Sequence, residues 1–273
     1  MLRVEDLDAG RVRPGVMESQ LADLAWLGLD WDEGPYLQSE RQELYEAGLR
    51  RLGERGLLYP CFCSRREIAA AASAPHGPDE EGPAYPGTCR ALSPGESVER
   101  EGERGTPALR FRVSPGEVRF HDLLQGDVSF RPADEVGDFV VRRKDGVAAY
   151  QLAVVVDDAA MGITHVLRGA DLLPSTARQL LLYDALGLRP PVWTHVPLLL
   201  GADGERLAKR HGSVSLRELR ERGVPARKVV GWLASSCGLA APGEEITAAE
   251  LVPRFELRRL PRKPQRLPPL PWS

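Results

Sequence analysis

Long apolar runs are missing from this sequence. None approaches the roughly 18 residues that a membrane-spanning helix needs, and no basic stretch followed by an apolar one marks a secretory leader. A cytoplasmic protein with no membrane partner is the expectation. An excess of one charge is missing too. Lys and Arg total 36 against 39 Asp and Glu, for a net charge of -3. That balance argues against indiscriminate adhesion to nucleic acid or anionic lipid, although a local basic patch remains open in the Arg-rich stretch after Gly201. Cysteine is sparse, at four. Cys61, Cys63 and Cys89 cluster, whereas Cys237 stands alone in "WLASSCGL". In a reducing compartment that pattern favours thiols or a metal over disulfides. Internal repeats are absent.

What is present is an ordinary globular composition. With 273 residues, 42% hydrophobic and 27% charged, the chain has room for one large or two smaller domains around a buried core. From Pro14 to about Gly56 the spacing is helical. Leu21, Leu24, Ala25 and Leu29 share a face, and "SERQELYEAGLRRLGERG" reads as a helix with Ser39 as N-cap, Gln42 at capping-box distance and Gly56 at its end. A Pro/Gly/acidic loop follows "PCFCSRREIAAA". Then come strand-like runs, "ALRFRV", "EVRFHDLLQGDVSF" and "DFVVRRKDGVAAYQLAVVVDDA", with hairpins suggested by their alternation and the "KDG" turn. Beyond them, "THVLRGADLL", the helix "STARQLLLYDALGL" and "PVWTHVPLLLG" have the strand–helix–strand order of a parallel α/β sheet. Residues 214–259 read as helical, and the Pro- and Arg-rich tail as extended or disordered.

Three constellations can carry chemistry. In "CFC" and "YPGTC", two thiolates two positions apart can grip one ion, and a third returning after a loop makes a three-sulfur zinc clip. A tetrahedral site needs a fourth donor, for which His76 and Tyr85 are nearby and imidazole is the commoner choice. Three unpaired thiols, or one disulfide, form the plain alternative. The loop "GADGERLAKRHGS" carries Arg206, Lys209 and Arg210 beyond an apolar strand, where cations can neutralise phosphate charge. A solvated basic loop is the alternative there. In "YQLAVVVDDAAMGITHVLRGADLL", Tyr150, Gln151, Asp157, Asp158 and Arg168 punctuate apolar runs. A buried Arg168 needs an acidic partner or a ligand, so a structural salt bridge to Asp157 or Asp158 competes with substrate binding. "PHGP" at His76 follows no strand and opens no helix, and is set aside as a nucleotide signature.

In order along the chain, "LRVEDLD", "WLGLDWDEGPYLQSER", "YPCFCSR", "VVVDDAAMGITHVLRGADLLPSTARQLLLYDALGL" and "RLAKRHGS" resemble the class I glutamyl-type aminoacyl-tRNA synthetases. The likeness runs from Met1 to about Ser213. "RLAKR" is similar to the family's Lys-Met-Ser-Lys-Ser signature, with Arg206 and Ala208 in place of Lys and Ser and with Lys209 kept. The resemblance implies a Rossmann-like parallel sheet, N-terminally incomplete, with a zinc-bearing insertion and a helical C-terminal segment. It divides the chain into 1–56 and 136–213 as two parts of the nucleotide-binding domain, 57–135 as the insertion and connecting region, and 214–273 as a helical segment with a Pro/Arg tail. Within the family, the 60 residues after Ser213 and the Cys-x-Cys…Tyr-x-x-x-Cys spacing are similar to a short branch. Its members activate glutamate with ATP and load it onto the queuosine base in the anticodon loop of tRNA(Asp).

By that resemblance, Arg168 and Tyr150 hold L-glutamate and Glu5 meets its ammonium group. Lys209 neutralises the polyphosphate of ATP, with Mg2+ as its companion ion. Structural Zn2+ takes Cys61, Cys63, Tyr85 and Cys89, so Tyr85 becomes the expected fourth ligand. A monomer suits a small enzyme on a bulky RNA. A decayed glutamyl-tRNA synthetase-like remnant or RNA-binding module is the competing reading, and the joint retention of Lys209, Arg168, Tyr150 and Glu5 counts against it. In the family a first strand, an Arg/Ser-bearing turn and a His-Ile-Gly-His-type signature precede "RVEDLD". A late start assignment is the expected reason for their absence, because losing a central strand exposes neighbouring edges. This chain alone is expected to be poorly soluble and inactive in glutamate-dependent ATP–pyrophosphate exchange.

Overall fold

A computed structural model describes residues 1–8, 10, 13–71, 84–201, 204 and 215–266. The chain runs β1 (Arg3–Val4), α1 (Val16–Trp26), β2 (Tyr36–Leu37), α2 (Gln42–Glu54), β3 (Leu58–Cys61) and α3 (Arg65–Ala71), then α4 (Pro94–Arg104) and β4 (Ala108–Phe111). A hairpin of β5 (Val118–Asp122) and β6 (Gly126–Phe130) comes next, followed by α5 (Pro132–Glu135) and β7 (Phe139–Arg142). The central unit is α6 (Tyr150–Ala160), β8 (His165–Gly169), α7 (Leu173–Leu186) and β9 (Val192–Val196). It is followed by β10 (Leu199–Leu200), α8 (Leu216–Glu221), α9 (Ala226–Ser236), α10 (Ala248–Leu251) and β11 (Gln265–Arg266).

The sheets are mixed rather than wholly parallel. One has the order β6-β5-β9-β8, and an antiparallel one has the order β3-β4-β7. The expected strand–helix–strand unit is present: β8 and β9 pair in parallel, with Arg168 opposite His195, and α7 connects them. β5 joins β9 through a single parallel pair, Asp122 with Trp193, and runs antiparallel to β6. Three neighbouring strands therefore bring Asp122, His195 and Arg168 to one region of the sheet.

Two local expectations are corrected. "YQLAVVVDDAA" is the helix α6, not a strand, and Gln151 to Val155, Asp157 and Asp158 are all buried in it. A continuous apolar run of this length suits a buried helix as well as a buried strand. Here it lies in a core with Tyr45, Leu49 and Leu52 of α2, Phe139 and Val141 of β7, and Leu182, Tyr183 and Leu186 of α7. The helix closes its own backbone bonds in that enclosure. The helical penalty of a valine is a few tenths of a kcal/mol, well below the ~1.5–3 kcal/mol of burying one. Ser39 does not cap α2. It sits in a single 3-10 turn, where Asp6 accepts its backbone N–H at 2.8 Å and its hydroxyl at 2.6 Å. A carboxylate supplied from 33 residues away outcompetes the local cap. The helix does end beside Gly56, whose φ is +68°.

A second apolar cluster joins the two ends of the described chain. Leu27, at the end of α1, packs with Leu219, Val229, Val230 and Ile246. Arg220 reaches Asp23 at 3.0 Å above it. The C-terminal region is helical as expected, with Ser215–Glu218 and Thr247–Glu250 capping boxes opening α8 and α10.

Candidate active site

Arg168 leaves β8 flanked by neutral partners. Its Nε donates to His195 Nε2 at 3.0 Å, and its Nη2 donates to Thr176 Oγ1 at 2.7 Å and to the Leu172 carbonyl at 3.4 Å. It also hydrogen-bonds Tyr150, the first residue of α6. The alternative reading, a salt bridge from Arg168 to Asp157 or Asp158, is not formed, because both carboxylates are engaged elsewhere. Asp158 accepts Arg3 at 2.7 Å. Asp157, fully buried, accepts Arg41 at 2.6 Å and both Gln38 and Tyr45 at 2.8 Å. Such a buried carboxylate is tolerable only with this many donors.

The three side chains singled out for substrate converge. Burial pushes the Tyr150 hydroxyl up in pKa, Arg168 pulls it back, and Glu5 and Asp158 add to the rise. All three charges therefore act on one phenol. Burial likewise lowers the pKa of Arg168, against the opposing pull of Tyr150 and Asp158. Arg3 bridges Asp158 and Glu5, reaching Glu5 Oε1 at 3.2 Å at the end of β1. Tyr150 is 39% exposed, so this cluster of a cation, a phenol and a carboxylate opens to solvent. It can take a small zwitterion with an extra carboxylate. Arg3, Arg41, His195 and Asp122 escaped sequence reasoning, because the Arg3–Asp158, Arg41–Asp157, Arg168–His195 and His195–Asp122 contacts join residues 27 to 155 positions apart.

The thiols also meet. Cys61 ends β3, and the Sγ atoms of Cys61, Cys63 and Cys89 all lie within 4.8 Å of one another, with Cys63 and Cys89 at 3.6 Å. The Tyr85 hydroxyl stands 3.5 Å from Cys61 Sγ and 3.6 Å from Cys63 Sγ, and it accepts the Cys89 backbone N–H at 2.8 Å. Gly137 makes room for this. It bridges Tyr85 with φ +67°, and a Cβ there would lie 2.9 Å from the Tyr85 carbonyl oxygen. Arg110 donates to Cys61 Sγ at 3.2 Å and stacks 3.7 Å from the Tyr85 ring centroid. Burial raises the Cys63 thiol to about 11. At Cys89 burial also acts upward, but hydrogen bonds from Tyr85 and the Phe62 backbone outweigh it and the net shift is down.

The family model for the catalytic domain of class I tRNA synthetases (E and Q) matches residues 1–265. The chain belongs to this family. Among its relatives, the glutamyl-Q tRNA(Asp) synthetase of Symbiobacterium thermophilum is 56% identical over 98% of this chain and 85% of its own length. That of Nitratidesulfovibrio vulgaris is 48% identical over 97% and 84%. A solved glutamate tRNA ligase from Elizabethkingia meningosepticum, in complex with its amino acid, superposes with a TM-score of 0.80 at 27% identity. It is matched over 98% of this chain and 60% of its own.

Within this class I synthetase, a tetrahedral ion held by thiolates at about 2.3 Å and an oxygen at about 2.0 Å needs S···S near 3.8 Å and S···O near 3.5 Å. The Cys63–Cys89 and Tyr85–thiol separations fit that requirement. His76, the other candidate donor, lies outside the described residues, as do Arg206, Lys209, Arg210 and the tail beyond Arg266.

Proposed function

We propose that the protein activates glutamate with ATP and transfers it to the queuosine base of tRNA(Asp). The observation that carries this reading is the pair of relatives named glutamyl-Q tRNA(Asp) synthetase, similar to this chain over almost its whole length. Arg168 and Tyr150 would hold a glutamate carboxylate, and Glu5, 3.2 Å from Arg3, would meet the ammonium group. A glutamate carboxylate oxygen attacks the α-phosphorus of ATP, and pyrophosphate departs as the new P–O bond forms. Lys209 would neutralise the charge gathering on the leaving group, and Mg2+, when bound, would supply further positive charge there. The acyl group then passes from the adenylate to the modified base, releasing AMP. Positioning and charge neutralisation supply the rate, without a protein nucleophile.

Cys61, Cys63, Tyr85 and Cys89 would hold a structural Zn2+. With four protein donors such an ion would have no open position and would tie β3 to the segment bearing Tyr85 and Cys89. The anticodon loop of tRNA(Asp) is the proposed RNA partner, and a monomer the proposed state.

Transfer of labelled glutamate to queuosine-containing and queuosine-free tRNA(Asp) tests the reading. Label confined to the modified tRNA is expected. Label at the 3′ end of a glutamate tRNA would instead favour a glutamate–tRNA ligase. Relatives so named, at 44% and 41% identity, are matched over 58% and 55% of their own lengths.

A further inference from the structure

We propose that Asp122 and His195 are positioning residues that aim the Arg168 guanidinium at the substrate carboxylate. The proposal rests on the reading of Arg168 as a glutamate-binding residue. His195 and Asp122 are both fully buried, and His195 Nδ1 lies 2.6 Å from Asp122 Oδ2. A guanidinium has donors only, so Arg168 Nε at 3.0 Å requires an acceptor at His195 Nε2. A neutral ring then carries its proton on Nδ1, facing Asp122. The carboxylate thus selects the tautomer that can hold Arg168 from behind. Asp122 is itself held by backbone, since its Oδ1 accepts the N–H groups of Leu124, Gln125 and His195 at 3.0, 2.8 and 3.2 Å. Thr176 completes the cradle, with its hydroxyl 3.1 Å from His195 Nε2 and 2.7 Å from Arg168 Nη2.

The strand register makes this relay possible. His195 sits opposite Arg168 in the β8–β9 ladder, and Asp122 stands one strand further, in β5. With Nε and one edge of the fork held by neutral acceptors, the guanidinium keeps its full charge for a ligand. A planar fork fixed in this way favours a carboxylate over an amide.

Three substitutions separate aiming from mere packing. In Asp122→Asn the amide oxygen can keep the backbone bonds while its NH2 faces His195 Nδ1. The ring proton then moves to Nε2, donor against donor with Arg168. His195→Asn keeps a donor to Asp122 but loses the acceptor for Arg168. His195→Gln loses the Asp122 bond but places a carbonyl oxygen where Nε2 stood. The readout is glutamate-dependent ATP–pyrophosphate exchange by protein produced from the native gene.

Expected for Asp122→Asn and His195→Asn is a rise of about tenfold in KM for glutamate, with KM for ATP within about twofold. A weaker preference for glutamate over glutamine should accompany it, with most of the loss restored in His195→Gln. Unchanged KM for glutamate in the first two variants, or equal losses in His195→Asn and His195→Gln, would overturn the proposal. Wild-type exchange that ignores glutamate would overturn the functional reading and this proposal with it. A variant too unstable for turnover would be titrated calorimetrically with glutamate in the cold, where the same tenfold loss is expected and wild-type affinity would be decisive against it.

Discussion

Arg3 Nη1 lies 2.7 Å from Asp158 Oδ1, joining residues 155 apart in the chain. The same guanidinium reaches Glu5 at 3.2 Å and Asp157 at 3.9 Å. One arginine therefore ties the short β1 strand to the central helix and holds the proposed ammonium-binding carboxylate at the strand's end. Burial raises the pKa of Asp158 and Arg3 opposes that rise, so the pair exists because each partner answers the other's desolvation.

Asp157 is the strongest stability test. Asp157→Ala strands Arg41, Gln38 and Tyr45 around a hole where four groups had met. Losing one partner of a buried ionic network costs ~3–5 kcal/mol. Urea unfolding should show a loss of that order, and a loss below about 1 kcal/mol would mean the network is looser than its distances imply.

Arg168 and Lys209 should fail differently in pyrophosphate exchange. Arg168→Ala removes a ligand-binding charge and should raise KM for glutamate about a hundredfold. Lys209→Ala should lower kcat by about a hundredfold and leave KM for glutamate near its starting value. An identical pattern in the two variants would argue that one of the roles is misassigned.

Zinc should copurify at about one equivalent per chain. Cys89→Ser, measured by elemental analysis, should carry clearly less metal and melt earlier. Full occupancy in that variant would remove Cys89 from the ligand set.

His195 should also shape the acid limb of the stability curve. Burial lowers its pKa from the usual 6.5, and Asp122 opposes that shift. The unfolded chain therefore takes up a proton first, and the folded state loses stability as pH falls from about 6.5. Asp122, also depressed despite burial because Gln125, His195 and Leu124 hydrogen-bond it, contributes its loss lower, below its ordinary 3.8. Melting temperatures followed from pH 7 to about pH 5 should decline less steeply in His195→Gln than in the wild type. Parallel slopes would place the titration elsewhere.

Local chemistry was readable in the sequence wherever neighbours in the chain act together. Cys-x-Cys with a later cysteine announced the thiol cluster, the strand–helix–strand order announced α7, and the ordered motifs picked out Glu5, Tyr150 and Arg168. The fourth donor was open on spacing alone, since His76 and Tyr85 were both nearby and imidazole is the commoner ligand. Gly137, which admits the Tyr85 backbone, lies far along the chain between α5 and β7.

Tertiary structure alone decided which charge answers which. Asp157 and Asp158 looked like partners for Arg168, yet packing α6 against α2 and β1 handed them to Arg41 and Arg3. The β8–β9 register left Arg168 to His195 instead. A uniform apolar run cannot say whether it will be helix or strand until its surroundings are known. Ion pairs and hydrogen bonds act over a few ångströms, and only the folded chain determines which distant residues come that close.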